Sequence, residues 1–160
     1  MSSMDSFFKK VEENNKAQED SKKKYLADVE EFRTKTDSLF NEVMSWFSGS
    51  PIQASKSQTR LVEDGDAFSI STLALKNGEK TLKITPISLY GWGAMGMIEV
   101  SIYNPSRAPN TTKFEIRLHD STSQRKDWTI IYGGMPERNV RPQRGEFNQE
   151  HFFTLIESFA

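Results

Sequence analysis

The sequence predicts an α+β fold: a long N-terminal helix, an antiparallel meander of about five strands, and a short C-terminal helix packed on the sheet. Three observations predict it. From Asp5 to Phe47 there is no Pro and no Gly, and helix formers dominate. From about residue 67 the apolar residues alternate with polar ones, the period of a strand. Beyond Asn148 the spacing is helical again.

In the first element, Tyr25, Val29, Phe32, Leu39, Val43 and Trp46 keep a four-three spacing interrupted only by Thr36. That spacing lays an apolar stripe along one helical face, and Phe40 and Phe47 widen it. Gly49 and then Pro51 stop the helix, since Gly takes the left-handed cap and Pro cannot continue. Before Tyr25 the stripe turns polar through Asn15, Gln18 and Lys22, and only Met4, Phe8 and Val11 resume it. One unbroken helix here would be roughly 60–65 Å long at 1.5 Å per residue, so it breaks near Asn14–Asn15, projects, or pairs with another helix. The expectation is an ordered part from about Lys22, with the first twenty or so residues frayed or partner-dependent. Residues 1–47 are thus a helical region, 48–66 a polar linker or loop, and 67–160 a sheet with its closing helix. All three form one domain, with the long helix on the sheet.

The first strand runs through Phe68-Ser-Ile70 and Leu73-Ala-Leu75, with a phase slip near Ser71–Thr72 that suggests a bulge. Asn77-Gly78 marks a tight hairpin, because both central positions must tolerate positive φ. Leu82 and Ile84 lie on the partner strand. Ile98, Val100 and Ile102 form a third strand, Phe114, Ile116 and Leu118 a fourth, and Trp128, Ile130 and Tyr132 a fifth. Lys113, Glu115, Arg117 and His119 alternate with the fourth set and predict a charged, wet face. In the tail, Asn148 is an N-cap with Glu150 in the first turn. Phe147 and Phe152 have the hydrophobic-staple spacing, and Phe152, Ile156 and Phe159 form a stripe that closes the dry face.

Composition excludes several function classes. The 160 residues carry a net charge of −1, which gives no general attraction to nucleic acid or anionic lipid. The chain has no Cys, which removes disulfides, thiolate metal sites and Cys nucleophiles. No run of eighteen apolar residues could span a membrane, and the first twenty residues lack the apolar core of a signal peptide. A cytoplasmic location is expected.

No motif supplies a catalytic, cofactor-binding or metal-binding residue. Gly91-Trp-Gly93-Ala-Met-Gly96 has the letters of a dinucleotide fingerprint but precedes a strand, whereas the pyrophosphate site needs a helix N-terminus. It is read as a Gly-rich turn. Glu63-Asp-Gly-Asp66 resembles the opening of a calcium loop without its later Glu, and is read as a surface turn before the first strand. His119 and His151 lack triad or metal-ligand partners in sequence. Arg138, Arg141 and Arg144 recur every third residue in a Pro-containing loop, either as a solvated segment or as a strip that reads carboxylates and phosphates. Trp92, flanked by glycines, either caps the core or protrudes as an anchor. The residues expected to meet a partner are therefore Trp92, Glu115, Arg117, His119, Arg138, Arg141 and Arg144.

The run Leu82-Lys-Ile84-Thr-Pro86-Ile-Ser-Leu89, the Gly-rich turn to Gly96, Met97-Ile-Glu-Val100, Trp128-Thr-Ile-Ile131 and Phe147-Asn-Gln-Glu-His-Phe152 resemble small bacterial immunity proteins. These are encoded beside polymorphic Rhs-type or contact-dependent toxins, and the likeness is to the TriTu type. The resemblance implies a cytoplasmic antitoxin, not an enzyme, that binds and occludes its cognate toxin domain. For the TriTu type that toxin would be an ADP-ribosyltransferase acting on an elongation factor. A monomer is expected, with a helix-mediated dimer as the alternative. Competing readings are a coiled-coil adaptor or secretion chaperone and, less compatible with the motifs, a small nucleotide-binding enzyme.

Overall fold

The structure is a computed structural model that describes residues 2–63, 65–91, 93–124, 127–134 and 139–160. It is α+β, with seven antiparallel strands instead of five. Helix α1 spans Ser3–Trp46; strands follow at Gln53–Glu63 (β1), Asp66–Asn77 (β2), Lys80–Gly91 (β3), Ala94–Tyr103 (β4), Thr111–Leu118 (β5), Trp128–Tyr132 (β6) and Gln143–Glu146 (β7). Helix α2, Gln149–Leu155, and a 3-10 turn, Glu157–Phe159, complete the chain. The strands lie in sequence order, a pure meander with β1 and β7 at its edges.

The two strands missed in the sequence are those edges. Gln53–Glu63, read as linker, pairs along its whole length with β2. Its residues are mostly exposed and polar, so it buries no apolar stripe that alternation could detect. Charged side chains also suit an edge, where they discourage pairing with a further strand. Strand β7 lies in the segment read as an arginine-bearing loop.

The first half of α1 is not broken. Ser2 caps the helix by accepting a hydrogen bond from Asp5 N at 3.1 Å, and the helix continues through Asn14 and Asn15. Residues 2–24 are all exposed, and the first buried residue is Val29. The helix therefore projects roughly 33 Å beyond the body at 1.5 Å per residue. From Val29 onward it lies on the dry face of the sheet, where Phe32, Leu39, Phe40 and Val43 join the core.

Thr36, the interruption in the stripe, is fully buried on the same face. Its Oγ1 has no hydrogen-bond partner among the described residues. Thr36→Val is therefore expected to raise the unfolding free energy by about 1–2 kcal/mol, measured by urea titration.

The phase slip in β2 has a different cause from the predicted bulge. The β1–β2 register is continuous through Ser71 and Thr72. Strands β2 and β3, however, pair only from Leu73–Ile84 to Asn77–Lys80. Pro86 lies just beyond and has no N–H to extend the ladder. The β3–β4 register also shifts between Pro86 and Ser88. Freed from β3, the outer β1/β2 hairpin diverges, and Ser71 hydrogen-bonds Asp37 of α1 at 2.6 Å. Part of the open edge of β3 is met by a side chain: Leu89 N donates to Glu63 Oε2 at 3.4 Å.

The tail closes the dry face as the sequence predicts. Asn148 Oδ1 accepts from His151 N at 2.8 Å, and Phe147 packs on Phe152 with ring centroids 5.7 Å apart. Phe159 is buried, and two side chains hold the backbone around it. Asn77 Nδ2 donates to Phe159 O at 2.8 Å, and Asn104 Nδ2 to Ser158 O at 2.9 Å.

Candidate interaction surface

The polar face of the sheet is best ordered across β4, β5 and β6. The ladders align Glu99, Glu115, Ile131 and Arg144 in one row, and Met97, Arg117, Thr129 and Glu146 in the next. Glu115 and Arg117 are two apart on β5 and so share this face. Arg117 Nε and Nη2 donate to Glu115 Oε2 at 2.9 and 2.7 Å. Arg117 is largely buried, while Glu115 is about a third exposed. The pair is thus fixed in the surface, with the carboxylate outermost. Lys113 stands 3.6 Å from Glu99 and is well exposed.

Beside that pair a cleft of about 210 Å³ opens between the sheet and the segment after β6. Its lining includes Arg117, Ile131, Tyr132, Val140 and Pro142. Val140 is 45% exposed. A largely apolar cleft lined by the Glu115–Arg117 pair as well as by Ile131, Val140 and Pro142 has the make-up of a protein contact, apolar at the centre and charged beside it.

The other expected contact residues are placed differently. His119 leaves the charged face: its φ of 50° ends the alternation of β5, and its Nε2 meets Glu31 of α1. Strand alternation alone put it beside Arg117, and no sequence signal marked the left-handed turn. Arg144 keeps to the polar face but is taken up by a buried carboxylate, with Nε 3.0 Å from Oδ2 of Asp120. Arg141 is exposed, so the three-residue arginine period does not make one uniform strip. Trp92 and Arg138 lie outside the described residues. The glycine cluster is a hairpin junction, with Gly91 paired to Ala94, and not the start of a helix.

Asp120, unremarked in the sequence, anchors this end of the sheet. Its side chain is fully buried, and Oδ2 accepts from both Arg144 Nε and Ser123 N, the latter at 3.1 Å. Burial works against its charge, but hydrogen bonds from Ser123 and the Arg144 guanidinium prevail and hold the carboxyl below its usual range. A carboxyl depressed by folding stabilises the fold above its unfolded pKa. That contribution is lost as pH falls through the lower folded value. Asp120→Asn is expected to cost about 1–3 kcal/mol at neutral pH, and to flatten the loss of stability below about pH 4. Urea midpoints at a series of pH values check both.

On the opposite side, where the β1/β2 hairpin leaves β3, a groove of about 650 Å³ lies against α1. Tyr25, Leu26, Phe68 and Tyr90 wall it, with Glu63 and Asp66 from the hairpin end. Tyr90 OH donates to Asp28 Oδ2 at 2.5 Å; burial first, and then that carboxylate, push the phenol well above its usual range. Among the described residues no group of three or more His, Asp or Glu is placed to hold a metal, and no helix is long and apolar enough to cross a membrane.

Fold and surface together define an α+β protein with a seven-stranded meander, a projecting helix and an ordered polar face. No protein-family model, curated protein or solved structure matches the chain.

Proposed function

We propose that this protein acts by binding another protein, and that its partner is a bacterial toxin domain whose active site it occludes. The observation that supports contact is the face centred on Arg117, Ile131 and Val140. There an ordered ion pair and an apolar cleft sit on a rigid ladder beside exposed charges of both signs. Such a surface binds without a large rearrangement, because its charged groups are already held in place. The narrower reading, immunity towards a polymorphic toxin, rests on the resemblance of the sheet and tail segments, and an ADP-ribosyltransferase is the activity that resemblance suggests. Its partners would then be neither nucleic acid nor membrane, and its place the cytoplasm.

The test is co-expression with the toxin domain encoded beside this chain in its genome. Restored growth and a co-purifying one-to-one complex are expected. Continued toxicity, with no complex on size exclusion, rejects the immunity reading. The adaptor reading draws on the projecting helix, and its outcome is binding of a cargo protein through α1 in the absence of any toxin complex.

A further inference from the structure

The projecting half of α1 is polar except at one place. Met4, Phe7, Phe8 and Val11 stand at i, i+3, i+4 and i+7 on one helical face. Phe7 and Phe8 remain 61% and 59% exposed. At the root of the same projection lies the groove walled by Tyr25, Leu26, Phe68 and Tyr90. Lys9 and Lys10 adjoin the apolar tip, whereas Glu63 and Asp66 line the groove. Tip and groove are complementary in both apolarity and charge, yet one chain cannot bring them together along a straight helix. They are about 26 Å apart from Phe8 to Tyr25 at 1.5 Å per residue.

We infer that two copies of this chain pair through their projecting helices, laid antiparallel, so that each tip seats in the other's groove. A two-fold contact is made twice, once in each direction. In an antiparallel helix pair, residues that face each other have numbers with a constant sum. A sum of 33 sets Met4 opposite Val29 and Phe8 opposite Tyr25. The same register sets Asn15 opposite Gln18, polar against polar. Val11 meets Lys22, whose methylenes cover it while the ammonium reaches water. A parallel pair would instead stack Lys22 on Lys22. By the same sum Lys9 and Lys10 fall level with Lys24 and Lys23 of the other copy and Glu13 with Asp20, while Glu12 flanks the seam one step from Glu19; these like charges limit affinity. With two Phe side chains per copy, about three-fifths exposed and so each offering roughly 90–150 Å², tips and matching groove walls together bury on the order of 700–1,200 Å². That reaches the lower range of specific interfaces and leaves the polar sheet face free.

Sedimentation velocity of the full chain from low to high micromolar concentration tests this, with a micromolar dimer expected. Phe8→Glu removes a side chain that is exposed in its own chain, so the melt taken below the dimerisation range stays unchanged while the dimer is lost. Glu12→Lys tightens association. The chain has no Cys, so a spin label at Ser6→Cys reports orientation. Labels about 30 Å apart are expected, against about 10 Å for a parallel pair. A monomer at every concentration, a dimer indifferent to Phe8→Glu, or the short label distance overturns the inference.

Discussion

Phe152→Ala is expected to lower the unfolding free energy by about 3–5 kcal/mol, enough to unfold much of a marginally stable domain. Phe152 is fully buried. Its ring lies 5.7 Å from Trp46 of α1, 6.3 Å from Phe114 of β5 and 5.7 Å from Phe147 ahead of α2. It is where the long helix, the sheet and the tail meet, so truncation opens a cavity that no single element can close by moving. A three-element contact also predicts cooperativity. Near-ultraviolet dichroism from Trp46 and far-ultraviolet dichroism from the sheet should be lost at one urea midpoint. A variant within 1 kcal/mol of wild type would show that the tail is dispensable to the core.

Gly96→Ala is the second large effect, and its cause is steric rather than a lost contact. Gly96 sits in β4 at φ 108°, where an L-residue is strained. An added Cβ would lie 2.7 Å from Cδ1 and 2.9 Å from Cε1 of the Phe32 ring, and 3.3 Å from Leu118 Cβ. Phe32 is itself fully buried and packs on Trp128, so the ring has no free space to enter. Backbone strain of about 1–3 kcal/mol and overpacking of about 1–3 kcal/mol give a loss of roughly 2–6 kcal/mol. Gly78→Ala is the control. It carries positive φ in the β2–β3 turn with nothing within 4 Å of the new Cβ, so only the backbone term remains. Equal losses for the two variants would mean that α1 does not press on β4.

Those two positions also show what the sequence discloses and what it hides. The hub at Phe152 was legible, because an N-cap, a staple and a helical stripe are local patterns. The helix-to-sheet face was legible for the same reason, with Thr36 completing the stripe. Strand β1 was hidden because it lies at an edge and buries little, although Asp64-Gly65 is a hairpin dipeptide of the same kind as Asn77-Gly78. Its glycine reads as part of a surface turn, since the calcium-loop letters around it lack their later Glu. The sequence groups Gly96 with a turn, whereas its place in β4 admits the Phe32 ring, a contact between residues 64 positions apart. Of the surface, alternation puts Glu115 and Arg117 on one face, but the face is not uniformly wet: Arg117, Met97, Thr129 and Ile131 are buried. The pairing of Arg144 with Asp120 and the departure of His119 depend on strand register and backbone conformation, which no spacing encodes. The groove follows from Pro86 only once β2 and β3 are known to pair up to Ile84.

The central claim is that the face around the Arg117–Ile131–Val140 cleft contacts a protein partner. Calorimetric titration of the adjacent-gene toxin domain into wild type and into Val140→Asp tests it most directly. Tight one-to-one binding is expected for wild type, with a loss of at least about 2 kcal/mol in the variant and an unchanged melt. Binding of equal strength by both chains would contradict the placement of the contact, and no heat with either chain would contradict the partner itself.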